Sequence, residues 1–220
     1  WGARRALGGG GPFGIVKGIE KMEELQESLY EACKRGDRPE VADIISKGAD
    51  VDKADENGDT PLMLAFHRNF EIVELLLSVK GIDVNKADKD GKTPLMNACY
   101  FGHVDTVKKF LKVEGIDVNK ADKDGKTPLM QACIEGHIDV ARVLLAAEDI
   151  DINKKNKDGY TALDQVTLSE ANHRFDERQY FEQENDDPIF VEMFDVTLRK
   201  YSVIEEMLRA HGACDGSDSD

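Results

Sequence analysis

Apolar residues recur along the chain at intervals of three and four, which is the spacing of an amphipathic helix. Shorter apolar segments precede these stripes and begin with Thr-Pro-Leu, where threonine is a good N-cap and proline a good first helical residue. The pattern therefore predicts pairs of helices, with a short first helix such as 94–100. The clearest stripes of second helices are Ile72, Val73, Leu75, Leu76 and Leu77, and Ile138, Val140, Val143, Leu144 and Leu145.

These helix pairs belong to a sequence repeat. Residues 85–96 and residues 119–130 both read NKADKDGKTPLM, and weaker copies occur at 53–63 and 155–163. The aligned threonines are Thr60, Thr93, Thr127 and Thr161. Their spacings of 33, 34 and 34 residues indicate stacked supersecondary units rather than one globular core around a pocket.

Glycines mark the turns of each repeat. Four of the repeats open with a dipeptide that accepts positive φ and makes a tight hairpin turn. These dipeptides are Asn57-Gly58, Asp90-Gly91, Asp124-Gly125 and Asp158-Gly159. Gly81 and Gly115 are predicted to end second helices in the left-handed conformation. First helices are predicted to end near Gly-His turns, and we expect His103 and His137 to bridge adjacent repeats by hydrogen bonds.

The order of these motifs resembles the ankyrin repeat: Gly-x-Thr-Pro-Leu, then Gly-His, then an apolar helix, then Gly-x-Asp-Val-Asn. The resemblance covers residues 26–164. It implies an all-α solenoid of stacked antiparallel helix pairs with projecting β-hairpin turns. The predicted repeats are 26–55, 56–88, 89–122, 123–156 and a fifth that starts at 157.

The two ends of the array depart from this pattern. Repeat 1 has no Thr-Pro-Leu and is predicted to be an N-terminal cap, with residues 20–27 extending its first helix so that the array spans 20–164. In repeat 5 about 31 extra residues separate the two predicted helices. We assign residues 165–200 to an acidic, aromatic insert, 201–214 to the final helix and 215–220 to an acidic tail.

The insert has two interpretations that the sequence leaves open. Insertions in solenoids map to loops, and aromatic side chains among carboxylates can bind a partner with basic groups. Alternatively, the segment is a solvated loop whose aromatic side chains cover the exposed end of the stack. The aromatic residues predicted to bind a partner are Phe175, Tyr180, Phe181, Phe190 and Phe194.

Residues 1–19 are predicted to form a glycine-rich N-terminal arm that contains Arg4 and Arg5. A flexible leader, a vector-derived remnant and the remainder of a processed targeting segment before Trp1 are the alternatives for 1–16. We favour an arm that is held by the repeats or by a partner.

Charge and cysteines narrow the class of protein. The net charge of −15 argues against sequence-independent nucleic-acid binding, which requires lysine and arginine, and favours a protein partner with a basic or mixed-charge surface. No apolar run is long enough for a membrane span, so any membrane attachment would be peripheral, through a partner.

Cys33, Cys99 and Cys133 occupy one repeat position and are predicted to be buried thiols in an intracellular, reducing compartment. That compartment is cytoplasmic, or organellar if a targeting segment was removed.

No motif predicts catalysis, a cofactor or a metal site. The Gly-Lys-Thr of repeat 3 lacks the earlier glycine of a phosphate-binding loop, because Lys86 occupies that position. The Asp88-x-Asp90-Gly91 segment fails as a calcium loop at Lys86 and Asn97. We therefore predict that the chain is not an enzyme and has no cofactor.

The predicted function is that of a non-catalytic protein-binding scaffold or adaptor, an accessory subunit of a hetero-complex rather than a homo-oligomer. The alternative is a regulatory ankyrin segment of an enzyme or of a larger multidomain chain. The resemblance implies binding through a concave face of hairpin tips and first-helix residues. The residues predicted for that face are Asp59, His67, Arg68, Lys92, Asn97, Tyr100, Phe101, Lys126, Gln131, Ile134, Glu135 and Tyr160.

Overall fold

The structure is a computed structural model, and it describes residues 12–66, 70–182 and 188–214. Side chains are described for 18–66, 70–173 and 196–214. The chain divides into an N-terminal body, residues 1–82, and a C-terminal body, residues 83–220. Helices are connected by turns, and the described residues include no β-strand. The predicted all-α repeat architecture with hairpin turns is confirmed.

The N-terminal body contains two helix pairs. The first pair is α1 (Pro12–Arg35) with α2 (Arg38–Ser46), and the second is α3 (Pro61–Ala65) with α4 (Phe70–Leu77). Helix α1 packs on α3, and α2 packs on α4. The apolar faces that these contacts bury form the core of this body. Its fully buried residues are Leu29, Ala32, Cys33, Val41, Ala65, Ile72 and Leu76.

Three helix pairs form the C-terminal body. They are α5 (Pro94–Tyr100) with α6 (Val104–Phe110), α7 (Pro128–Ile134) with α8 (Ile138–Leu145), and α9 (Ala162–Glu182) with α10 (Pro188–Ala210). First helices pack in the order α5, α7, α9, and second helices pack in the order α6, α8, α10. The largest fully buried side chains of this stack are Leu95, Phe110, Leu129, Met130, Leu144, Leu163 and Ile204.

The Thr-Pro-Leu motifs start the helices as predicted, with threonine as the N-cap and proline as the first helical residue. Thr60, Thr93 and Thr127 have extended backbones, and each hydroxyl accepts a hydrogen bond from the backbone N–H three residues later at 3.2–3.3 Å. Thr161 precedes alanine instead of proline. The Thr161 hydroxyl and backbone N–H both donate to the Asp164 carboxylate, at 2.8 and 2.7 Å. The same hydroxyl accepts a hydrogen bond from the Asp164 N–H at 3.3 Å, so the two residues cap the helix reciprocally.

The insert of repeat 5 differs from the loop that insertions in solenoids led us to expect. Ile134 is the last residue of α7, and its counterpart Leu168 lies inside α9, which continues to Glu182. Helix α10 begins at Pro188 and runs without a break into the predicted final helix. Both helices of the last pair are therefore lengthened. Residues 183–187 lie outside the described residues.

Repeat 1 also begins earlier than its predicted boundary. Helix α1 starts at Pro12, so the helix includes the predicted extension at 20–27 and part of the segment 1–19 that we assigned to an arm. Residues 1–11 lie outside the described residues. Gln26 ties α1 to the following loop, since its side chain donates to the Asp50 carbonyl at 2.9 Å and accepts from the Asp50 N–H at 3.1 Å.

The three cysteines of the repeat position are free thiols with no measurable exposure. Burial raises the pKa of Cys33 and of Cys133 to about 12. Burial also raises the pKa of Cys99, with a further contribution from the nearby Cys133. These thiols are therefore protonated and shielded at neutral pH.

We expect Cys33, Cys99 and Cys133 to react slowly with an alkylating reagent such as N-ethylmaleimide while the chain is folded, because alkylation requires an accessible thiolate. Cys214 is exposed and serves as the internal control. Mass spectrometry should detect one rapidly modified cysteine in the native protein and four in denaturant. Rapid modification of all four without unfolding would contradict the burial of the three repeat thiols.

Candidate partner-binding surface

Hairpin turns form one edge of the C-terminal body. At the start of repeat 3 the carboxylate of the preceding residue, Asp88, accepts hydrogen bonds from the backbone N–H groups of Asp90 and Lys92, both at 2.8 Å. The hairpins of adjacent repeats are joined, since the N–H of Lys123 donates to the Asp90 carbonyl at 2.9 Å and that of Lys157 to the Asp124 carbonyl at 2.9 Å. The three hairpins therefore make a continuous rim beside the first helices.

Glycine is required at the second position of the turns for two reasons. Gly91 and Gly125 both have φ of 81°. A Cβ at Gly91 would lie 2.9 Å from the backbone nitrogen of Lys123, and one at Gly125 would lie 2.8 Å from that of Lys157. The absence of a side chain lets adjacent hairpins approach closely enough to form their hydrogen bonds.

The first helices of this body present two rows of side chains to solvent. We call Asn97, Gln131 and Gln165 the amide row; these residues are four positions after the capping threonines and are half-buried. Tyr100, Ile134 and Leu168 are the apolar row, seven positions after the threonines. Tyr100 is 48% exposed and Leu168 is 40% exposed, whereas Ile134 is half-buried.

Charged residues are sparse on this surface. We count positions from the capping threonine of each helix. In α5 and α7, positions 1, 2, 3, 5 and 6 are buried. Only positions 4 and 7 and the C-cap residue at position 8 reach solvent. With the matching positions of α9, these nine sites include one charged residue, Glu135. In α9 the third position is also only half-buried and adds Asp164, so the three first helices present few charges for a chain that is 33% charged.

An aromatic cluster lies where α5 ends. The rings of Tyr100 and Phe101 meet edge to face with centroids 5.0 Å apart, and Phe101 stacks on the His103 ring at 5.8 Å. Phe101 is 40% exposed. Burial lowers the pKa of His103, and the nearby His137 lowers it further, so His103 is neutral at pH 7.

The first helices α5 and α7 are each held at the C-terminal end by the next repeat. The Nε2–H of His137 donates to the carbonyl of Tyr100 at 2.9 Å, and the His137 ring lies so close to Gly102 that a Cβ there would be 2.7 Å from it. This contact confirms the bridging role predicted for His137. It fixes the backbone at the start of the aromatic cluster.

Tyr201 makes the equivalent contact in the last repeat. Its hydroxyl donates to the carbonyl of Ile134 at 2.9 Å, and its ring lies beside Gly136. Burial raises the pKa of Tyr201, and the negative charge of Glu135 raises it further. Sequence analysis missed this residue, because the insert separates Tyr201 from the glycine that it contacts.

Asparagines at the entrance to the hairpins form a second set of bridges that sequence analysis did not identify. The Asn85 side chain donates to the Gly115 carbonyl at 2.7 Å and accepts from the Asp117 N–H at 2.9 Å. Asn119 bonds the backbone of Asp149 and Asp151 in the same way. Recurrence of asparagine at a spacing of 34 residues was the available signal. These residues hold repeats together and are distinct from the exposed rows.

The structure brings together the predicted face residues of repeats 3 to 5. Lys92 is exposed, Lys126 is half-buried and Tyr160 is 41% exposed; all three belong to the hairpin rim. Asp59 belongs to the N-terminal body, where its N–H donates to the Asp55 carboxylate at 2.9 Å. His67 and Arg68 lie outside the described residues. Phe66, which occupies the cysteine position, is buried.

The predicted insert residues have described backbones and undescribed side chains. Phe175, Tyr180 and Phe181 lie on α9, and Phe190 and Phe194 lie on α10. Their role in binding therefore stays a prediction. Leu168 and Gln165, which sequence analysis assigned to the insert, instead complete the two rows of the first helices.

Among the described side chains, no group of three or more histidine, cysteine, aspartate and glutamate residues could hold a metal ion. Within the same part of the chain, no helix is both long and apolar enough to cross a membrane.

Stacked helix pairs, a hairpin rim and an exposed helix surface with few charges define a repeat protein of the protein-binding class. The family model "Ankyrin repeats (3 copies)" matches residues 29–122 and 106–173. The chain belongs to the ankyrin-repeat family. Repeats of this family are protein–protein interaction modules and are typically non-catalytic. No curated protein is significantly similar to the chain.

Proposed function

We propose that the chain is a non-catalytic scaffold or adaptor that binds a protein through the first helices of its C-terminal body. The observation that supports this proposal most directly is the exposure of Tyr100 and Phe101 beside the half-buried Ile134 on a surface of low charge. Large apolar side chains that are held rigidly at a solvated surface are typical anchors of protein interfaces.

The local structure supports anchoring rather than a purely structural role. Tyr100 and Phe101 contact each other and His103, yet about half of Tyr100 remains exposed to solvent. The carbonyl of Tyr100 is fixed by His137 and therefore has little freedom to move. A partner that covered both rings would gain apolar contact at a low cost in side-chain entropy.

We further propose that the partner is a different protein in a larger assembly, so that the chain is an accessory subunit of a hetero-complex. The partner surface is of mixed charge: lysines and aspartates alternate along the hairpin rim, for example in Lys89-Asp90-Gly91-Lys92. The net charge of −15 argues against a nucleic-acid partner. Free buried thiols support an intracellular, reducing compartment.

Replacing both aromatic residues tests the proposed surface. We expect Tyr100→Ala with Phe101→Ala to weaken partner capture by about 2 kcal/mol or more, because both side chains are proposed anchors. The melting temperature should change little, since both side chains are substantially exposed. Affinity capture from native extract, quantified by mass spectrometry for the wild type and the variant, makes the comparison.

The matched control is Asp105→Ala with Arg142→Ala, which alters exposed residues of the second helices. This control should capture the same proteins as the wild type. A variant that loses stability, while its folded fraction still captures the partner normally, would show that the aromatic residues belong to the core instead.

A further inference from the structure

We propose that the partner presents to this surface an extended segment of low charge, in polyproline II conformation, with an apolar side chain at every third residue. The proposal names the kind of partner for the surface described above and therefore rests on the proposed function. It is based on two features of the first helices, the chemistry of the amide row and the spacing of the apolar row.

The amide row suits an exposed polypeptide backbone. Each side-chain amide offers both a donor and an acceptor, as a peptide group does. Among the described residues, the side chains of Asn97 and Gln165 make no hydrogen bond. Gln131 donates to the Glu135 carboxylate at 3.3 Å, which leaves its carbonyl oxygen available. Three amides in a line can therefore bond peptide groups that lie three residues apart in an extended segment.

A helical partner would use this row poorly. Backbone N–H and C=O groups inside an α-helix are already bonded to one another, so they have little to offer Asn97, Gln131 and Gln165. A polyproline II segment has no internal hydrogen bonds, and its backbone groups remain accessible. The amide row thus favours the extended conformation over the helix.

The apolar row has a spacing that matches the same conformation. Tyr100, Ile134 and Leu168 occupy equivalent positions of packed helices, and packed helices lie about 8–10 Å apart. A polyproline II segment rises about 3.1 Å per residue with three residues per turn, so every third side chain returns to one side after about 9 Å. A β-strand returns a side chain to the same side after about 6.7 Å, which does not match.

These spacings define the minimum partner. Three anchors that bind Tyr100, Ile134 and Leu168 belong to a segment of about seven residues, with apolar side chains at its first, fourth and seventh positions. Since the solvent-reaching positions of the three helices include only two charged residues, Glu135 and Asp164, the facing side of the segment is of low charge. Aromatic surfaces such as that of Tyr100 with Phe101 suit proline-rich segments of this kind.

Selection from a random peptide library tests the proposal and does not require the native partner. The probe is a phage-displayed library of random twelve-residue peptides, and the target is the full chain. We expect enriched peptides to be rich in proline, low in charge and apolar at every third position. Synthetic versions should bind the Asp105→Ala/Arg142→Ala control as tightly as the wild type.

Variants of the two rows then assign the contacts. We expect Asn97→Ala/Gln131→Ala/Gln165→Ala to weaken the selected peptides roughly tenfold or more, which corresponds to the loss of one or two net hydrogen bonds. Because these side chains are only half-buried, the melting temperature of this variant should stay close to that of the wild type, and circular dichroism verifies its fold. Leu168→Ser should weaken the same peptides and leave the fold intact.

The outcomes separate this proposal from the proposed function. Enriched peptides with apolar residues at helical spacing, or an absence of enrichment, would overturn the extended partner. If helical peptides still lost affinity for the Tyr100→Ala/Phe101→Ala variant, the proposed surface would stand with a different occupant. Peptides that bind both row variants and the aromatic variant as tightly as the wild type would overturn the surface itself.

Discussion

Leu144→Ala should lower the free energy of unfolding by about 2–5 kcal/mol, one of the two largest effects that we predict. Leu144 lies on α8 with no measurable exposure, and α8 packs against α6, α7 and α10. Truncation removes apolar contacts with the core and leaves a cavity that three rigid neighbours cannot close. The midpoint and slope of urea denaturation, followed by circular dichroism at 222 nm, measure the change.

Arg142→Ala is the matched control for this prediction, because Arg142 is on the same helix and exposed. Its effect should stay within about 0.5 kcal/mol. Leu76→Ala makes the equivalent test in the N-terminal body, where Leu76 of α4 is also fully buried. Costs near zero for both leucines would refute the assignment of the second helices to the core.

Local chemistry explains why much of the fold could be predicted from the sequence. Thr93 and Thr127 cap their helices because threonine before proline satisfies a backbone N–H and continues directly into helical geometry. Turns at Gly91 and Gly125 follow from positive φ, which glycine adopts without strain. The burial of Cys99 and Cys133 follows from their position on the apolar side of equivalent first helices.

The last repeat could not be predicted in the same way. A turn after the first helix needs a stop signal such as Gly102 or Gly136, and the sequence after Leu168 has none, so α9 continues. The loss of that turn also displaces the residue that bridges back to repeat 4. Tyr201 replaces a histidine in this role, and only the three-dimensional contact with Ile134 identifies it.

The candidate surface was predicted in part. Tyr100, Phe101 and Ile134 were identified because they are large apolar residues at positions that the family resemblance places on one face. Leu168 and Gln165 were missed because the insert was expected to begin at 165. Their equivalence to Ile134 and Gln131 depends on α9 starting in register with α7, which the reciprocal cap of Thr161 and Asp164 secures.

Removing the insert should abolish association with the native partner while leaving the repeats folded, the other large effect that we predict. The structure indicates which residues to replace. Leu168 corresponds to Ile134, and Tyr201 makes the contact that His137 makes in the preceding repeat. Replacing residues 169–200 with Glu-Gly therefore copies the connection Ile134-Glu135-Gly136-His137 and keeps the Tyr201 bond to Ile134. Short connections between paired helices are common, so this repeat should form.

The expected loss of association has a physical basis in the extra length of the last helix pair. Helix α9 runs 14 residues beyond Leu168, which is about 21 Å of helix beyond the position where α5 and α7 end. The segment 169–195 is rich in carboxylates, and exposed charge pairs with a partner are screened over about 8–10 Å at physiological ionic strength. Raising the salt concentration should therefore weaken the association of the wild type.

The replacement also tests the contribution of the insert to binding independently of the amide and apolar rows, because Gln165 and Leu168 remain in place. Peptides selected on the amide and apolar rows should still bind the shortened chain, whereas capture of the native partner from extract should be lost. Capture that is normal at every salt concentration would show that the insert contributes no binding. A shortened chain that cannot fold would instead show that the long α9–α10 pair caps the stack, and partner binding would then depend on the first helices alone.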